Sequence, residues 1–135
     1  MATKLPDKAV QLLNKPALAH IVTLMKDGSP QVTPVWMSTD GEYVLVNTAE
    51  GRLKARNVRR NPRVALSVVD PADSYVTLQV RGTVVDITTA GADAHIDRLA
   101  KKYLGKDTYP WRRPEEVRLI LKIKPEKVGG SVAQA

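Results

Sequence analysis

The chain has 135 residues, 43% of them hydrophobic, and a formal charge of +7 from 21 lysines and arginines against 14 aspartates and glutamates. Length and apolar content suffice for one core and exclude a disordered tail, while the positive balance favours acidic partners such as phosphates, nucleic acids or polycarboxylates. Cysteine is absent, so there is no disulfide framework, thiolate zinc site or thiol nucleophile, and His20 and His95 stand too far apart for a familiar metal motif.

In chain order, MATKLPDKAVQLL lacks the apolar core and cleavage site of a secretion signal. Pro6 and Asp7 before Ala9, Val10, Leu12 and Leu13 predict a short amphipathic helix instead. The turn signals Asp27-Gly28 and Asp40-Gly41 sit between β-branched runs and predict three antiparallel strands, at about 18–26, 30–39 and 42–48. From Gly51 to Asn61 the alternation gives way to helix formers and stops at Pro62. RVALSVVD is a strand, Pro71 to Ser74 a loop, and YVTLQVRGTVVDITT a long strand that Gly82 bends or bulges. Ala92 to Tyr103 returns to helical periodicity, GKDTYPWRRPEE is a proline-bounded connector, and VRLILKIKP alternates as a last strand packed on one side. About six strands joined by tight turns and interrupted by helices predict a small closed or split antiparallel barrel with peripheral helices, mainly β in class. No stretch approaches the roughly 20 apolar residues of a membrane span, and the expectation is a soluble cytoplasmic protein.

The segment NTAEGRLKARN poses a chemical question, because Arg52, Lys54 and Arg56 crowd together with Arg59 and Arg60 still to come. Arginines four apart on a helix disfavour it by a few tenths of a kcal/mol per pair, roughly, unless counter-charges are near. Glu50 is the only acid within the segment. A helix start with small residues before it suits phosphate: Thr48 offers a hydroxyl, Ala49 and Gly51 close approach, Arg52 a planar fork, Lys54 a mobile point charge and Asn57 a neutral donor. A solvated basic face, or salt bridges at an interface, would carry the same pattern. Trp36 reads as core or interface, and His20 and His95 as structural.

SPQVTPVW on one strand, NTAEGRLKARNVRRNPRVALSVVD after the next, YVTLQVRGTV, and KYLGKDTYPWRRPEEVRLILKIKPEKV together resemble the pyridoxamine 5'-phosphate oxidase-like split β-barrels. Within them the chain is most similar to the small F420-dependent flavin/deazaflavin oxidoreductases. The similarity runs from the first helix to Val128, so it implies one split-barrel domain over 1–128 and a loose tail over 129–135. It also implies a homodimer with cofactor sites between protomers. Gln31, Val32, Thr33, Pro34, Val35 and Trp36 would lie against the deazaflavin ring, and Thr48, Ala49, Gly51, Arg52, Lys54 and Asn57 would hold the phosphate-bearing tail. Tyr75 would reach in from the other subunit, and Tyr109 and Trp111 would face substrate.

The coenzyme's phosphodiester, lactyl and glutamyl groups form a longer anionic trail than the single phosphate of FMN, and suit a longer cationic groove, with Lys101, Lys102, Arg112 and Arg113 as further contributors. FMN is the alternative cofactor. The C-terminal KPEKVGGSVAQA departs from the basic and histidine residues of true pyridoxamine phosphate oxidases, which argues against vitamin B6 oxidation. The implied reaction is hydride transfer to a conjugated small molecule, with no protein nucleophile and no catalytic acid assigned. A non-catalytic deazaflavin carrier or sensor needs the same grip. A single-strand nucleic-acid barrel is poorly supported, because four tyrosines and two tryptophans are not interleaved with the arginines.

Overall fold

The computed structural model describes residues 3–133. The Asp-Gly turns form as their chemistry dictates: Asp27 Oδ1 accepts from the Ser29 amide at 2.9 Å, and Asp40 Oδ1 from the Glu42 and Tyr43 amides at 2.9 and 2.7 Å. Gly28 and Gly41 take φ of +86° and +97°, open to a residue without Cβ.

Between and after these turns run α1 (Asp7–Leu13), β1 (Ala19–Leu24), β2 (Pro30–Val35), β3 (Met37–Thr39), β4 (Val44–Ala49), α2 (Leu53–Arg60), β5 (Arg63–Asp70), β6 (Asp73–Thr88), α3 (Ala92–Leu104) and β7 (Arg118–Gly129). All pairings are antiparallel, in the order β2-β1-β5-β6-β7-β4-β3. The two outermost strands, β2 and β3, are consecutive in the chain and separated only by Trp36. A chain cannot pass from one edge of a sheet to the other in one residue, about 3.5 Å of reach, unless the sheet curls until its edges meet. The split barrel follows from that single step.

Trp36 also corrects the strand count. The single strand expected at 30–39 is two, giving seven rather than six. Inside the curl, Ile21, Met37, Val44, Val46, Leu66, Leu78, Leu121 and Ile123 are buried, and α1 adds Ala9, Leu12 and Leu13. Each such leucine or isoleucine contributes about 1.5–3 kcal/mol on leaving water.

Residues 129–133, expected to be loose, are tied down. Gly129 ends β7, Thr77 and Ser131 exchange hydrogen bonds of 3.0 and 3.2 Å through each other's hydroxyls, and Val132 is buried on a 3-10 turn over Ser131–Ala133. Residues 134–135 lie outside the described residues.

Candidate functional site

The helix that carries the basic residues, α2, buries Ala55, Asn57 and Val58 against the barrel and turns Arg56, Arg59 and Arg60 outward. Arg59 and Arg60 of the helix, and Arg52 at its cap, each find a different partner. Arg59 pairs with Glu50 at 2.5 Å, Arg60 donates to Leu24 O and Asn57 Oδ1 at 3.1 and 2.8 Å, and Arg52 approaches Glu116 at 3.6 Å. The helix begins later than expected: Thr48 and Ala49 belong to β4, Gly51 forms the turn with φ +84°, and Arg52 caps α2 with extended backbone.

At this end of the barrel a cleft of ≈ 270 Å³ opens between the end of β2, β4, α2, α3, the connector after α3, and the start of β7. Pro34, Val35 and Trp36 form one wall, Tyr109 and Trp111 another, and Thr48, Arg52, Lys54 and Arg118 the polar floor. Trp36 stacks on Tyr103, centroids 5.2 Å apart and planes 4° from parallel, and meets Tyr109 edge-on at 6.0 Å and Trp111 at 6.4 Å. Such contacts are worth roughly 0.5–1.5 kcal/mol each beyond area burial. The aromatic wall is therefore held rigidly, although Trp111 is 59% exposed at its rim.

The connector that presents Tyr109 and Trp111 is clasped by α3. Asp97 Oδ1 accepts from the Tyr109 amide at 2.9 Å and from Arg112 Nη2 at 2.5 Å, and Arg112 also reaches Asp93 at 3.3 Å. Arg112 is thus a fastener rather than part of a cationic groove. Lys101 pairs with Asp107, and Lys102 Nζ donates to Leu13 O and Met37 O, both at 2.6 Å, its pKa lowered to about 8 by burial.

The floor is electrostatically tense. Burial, then the charges of Arg52 and Arg118, push the Lys54 ammonium below its ordinary pKa. Thr48 is 1% exposed, and its Oγ1 has no hydrogen-bond partner among the described residues. A buried hydroxyl without a partner costs about 1–3 kcal/mol, so its presence beside converging cations marks a place shaped for an added acceptor. A phosphate would satisfy the cations and the hydroxyl together, and to that extent the residues fit a phosphate-bearing cofactor with a flat ring.

Arg118 and its supports escape sequence reading. In the alternation of β7 it falls on the face of Lys122 and Lys124, yet it is 6% exposed because the connector covers it. Its Nε donates to Asn47 Oδ1 at 2.8 Å and its Nη1 to Glu116 Oε1 at 2.8 Å, with the Tyr109 ring 5.3 Å away. Burial raises the Glu116 carboxyl, but the hydrogen bond and charge of Arg118 and the charge of Arg52 outweigh it, leaving the pKa below the usual range. Asn47 Nδ2 donates to Ala92 O and to His95 Nδ1, both at 3.0 Å. His95 therefore carries its proton on Nε2, 2.9 Å from Ser38 Oγ. Leu18 and Ile96 also line the cleft without any sequence signal.

Other expected residues lie elsewhere. Asn57 is fully buried, its Nδ2 donating to Thr23 Oγ1 at 3.0 Å, and so it ties α2 to β1 instead of facing the cleft. Gln31 Oε1 accepts from the same threonine at 3.4 Å. Val32 faces a larger hollow of ≈ 510 Å³ over β1, β5, β6 and β7, which contains no buried unpartnered polar atom among the described residues. Thr33 Oγ1 is buried without a partner, while Ala49 is packed away and Gly51 is exposed at the turn. Tyr75 is 86% exposed near Lys8 and Val132, away from the cleft residues.

With this geometry in view, the likeness to known proteins is specific. A solved structure described as an F420 reductase is 35% identical, superposes with a TM-score of 0.78, and shares 88% of this chain and 94% of its own. A Lactobacillus delbrueckii protein is 25% identical with a TM-score of 0.66, sharing 94% of each chain. General Stress Protein 26 from Bacillus anthracis, at 16% identity, TM-score 0.67, and 90% and 89% coverage, has the fold alone in common. Residues 5–131 match the family described as pyridoxamine 5'-phosphate oxidase, a stretch that spans every strand of the barrel. On that match the chain belongs to the pyridoxamine 5'-phosphate oxidase family of split β-barrels.

Proposed function

We propose that the protein is an F420-dependent oxidoreductase that passes a hydride from the reduced deazaflavin to a conjugated small molecule such as an enone, quinone or tetrapyrrole. The observation that carries this reading is the meeting of Arg52, Lys54 and Arg118 with the unpartnered Thr48 hydroxyl under the Trp36 wall. The identity to the F420 reductase supports deazaflavin over FMN.

When bound, the coenzyme supplies the hydride-donating ring carbon. The chain supplies the rest. Arg52 and Lys54 hold the phosphodiester, with Thr48 as a further donor, while Pro34, Val35 and Trp36 give the ring a flat, dry wall. Tyr109 and Trp111 face the substrate and limit water, and a second copy completes the site with Tyr75. Tyr103 is no proton donor: its hydroxyl donates to Ala17 O at 2.7 Å, and burial raises its pKa. Solvent water supplies the proton that follows the hydride.

Parallel titration of the purified protein with F420 and FMN, followed by fluorescence and sedimentation, tests the reading. Tighter F420 binding to a dimer is expected. Stronger FMN binding would transfer the site to the flavin, and no binding of either would overturn it. Lys54→Ala should raise the F420 dissociation constant roughly 10- to 100-fold, the loss of one charge-assisted contact; an unchanged constant would remove Lys54 from the grip. Steady oxidation of reduced coenzyme by a quinone separates the enzyme from a passive carrier.

A further inference from the structure

We propose that Arg118 is a third anion-gripping residue of the cleft, sharing one phosphoryl group of the ligand with Arg52, and that Asn47 and His95 set its direction. This rests on the reading of the cleft as the site of a phosphate-bearing ligand.

Burying a guanidinium costs several kcal/mol, roughly, unless its donors are satisfied. Arg118 uses Nε and Nη1 on Asn47 and Glu116. Nη2 has no hydrogen-bond partner among the described residues, and it is not sealed from solvent, since the residue lines the cleft. The N–H groups of Nη2 are therefore free on a side chain that shares the cleft lining with Arg52 and Lys54. Glu116 supplies the gauge of distance. Its carboxylate holds Arg118 Nη1 at 2.8 Å through one oxygen and stands 3.6 Å from Arg52 Nη2 through the other. Two guanidinium groups one carboxylate apart also match two oxygens of a tetrahedral phosphoryl group. Arg52 is half exposed and free to adjust, whereas Arg118 is fixed.

What fixes it is the orientation of an amide. Were Asn47 turned over, its NH2 would oppose the Arg118 Nε–H donor. The Ala92 carbonyl and the bare Nδ1 of His95 both demand the NH2 on their side, leaving Oδ1 for Arg118. The Ala92 carbonyl can only accept and Arg118 Nε–H can only donate, so they fix the amide, and His95 accepts the second N–H as the Nε2–H tautomer that this selects. It is a positioning residue, at one remove from the ligand.

The test measures binding of inorganic pyrophosphate and of F420 to the purified protein by calorimetry. Arg118→Met should weaken pyrophosphate roughly 10- to 100-fold, and Arg118→Lys should recover part of that loss. His95→Asn, which can place an amide oxygen where Nδ1 stands, should stay closer to wild type than His95→Leu. Wild-type affinity in Arg118→Met, for pyrophosphate or for F420 if only F420 is bound, would overturn the proposal. Should that variant fail to fold, Glu116→Gln decides, because freeing both guanidinium groups should tighten pyrophosphate several-fold, and unchanged or weaker binding would overturn it. Pyrophosphate binding that needs Arg118 in a protein that ignores F420 would sink the deazaflavin reading and leave this grip standing. F420 binding indifferent to Arg118 would do the reverse, and a protein binding neither ligand would end both.

Discussion

Gly82→Ala is expected to destabilise the fold by about 3 kcal/mol, the upper end for forced overpacking, and to lower the melting temperature by about 10 °C. A Cβ at this position would stand 2.2 Å from Lys124 O and 3.1 Å from Lys124 C, both backbone atoms in the middle of β7. No rotamer change relieves such a clash, so β6 and β7 must part locally. They meet here at a register shift, with Gly82 opposite Pro125, which has no N–H to give to the ladder. Gly129→Ala, on the same strand pair, is the comparison. Its Cβ would meet only the Gln79 side chain at 3.4 Å, and it should melt within a degree or two of wild type, roughly. Thermal unfolding of both variants by circular dichroism checks the pair. Equal losses would show that strand propensity, rather than close approach, governs the site.

Gly82 shows how far the sequence could be read. A glycine within a β-branched run announces a bulge or a close approach, and it stands at a bulge, but the carbonyl that demands it is 42 residues away and leaves no local sign. The Asp-Gly turns were legible because one side chain and its own neighbouring amides determine them. Trp36 was not legible as a break, since Val35, Trp36 and Met37 form one unbroken apolar run with no turn signal inside it. The break arises because the barrel must close there, a demand of seven strands acting together. The cationic cluster was visible as a pattern, but its division of labour was not. Asn57 and Arg60 fasten α2 to β1, Arg59 is neutralised by Glu50, and Arg52 and Lys54 remain beside the cleft. Arg118 shares the face of Lys122 and Lys124 in an alternating strand, and only the connector folding over it buries that position. The split-barrel family was legible because it lives in long-range order and spacing, whereas the residues that tune the cleft live in contacts.

Acidification is expected to weaken the fold through His95, by up to about 3 kcal/mol between pH 6.5 and 4. The imidazole is 2% exposed, and its pKa is lowered from 6.5 to about 4, first by burial and then by the cations Arg98, Lys102 and Arg118, while Asn47 and Ser38 face it with neutral groups. As pH falls through 6.5 the unfolded chain takes up a proton that the folded chain refuses until about 4. Protons therefore favour unfolding across that window. The penalty is absent above it and complete below it. Urea unfolding at several pH values from 7.5 to 4, on wild type and His95→Asn, isolates the effect, because carboxylates such as Glu116 titrate alike in both and cancel in the difference. The variant should lose much of the pH slope, and parallel curves would show that His95 is not the group responsible. Protonation at Nδ1 would also remove the acceptor that holds the Asn47 amide. The imidazole that makes the barrel acid-sensitive is also the one that keeps Arg118 aimed at the cleft, but the folded ring takes its proton only near pH 4, so anion affinity should hold through most of the window in which stability is lost and fall at its lower end.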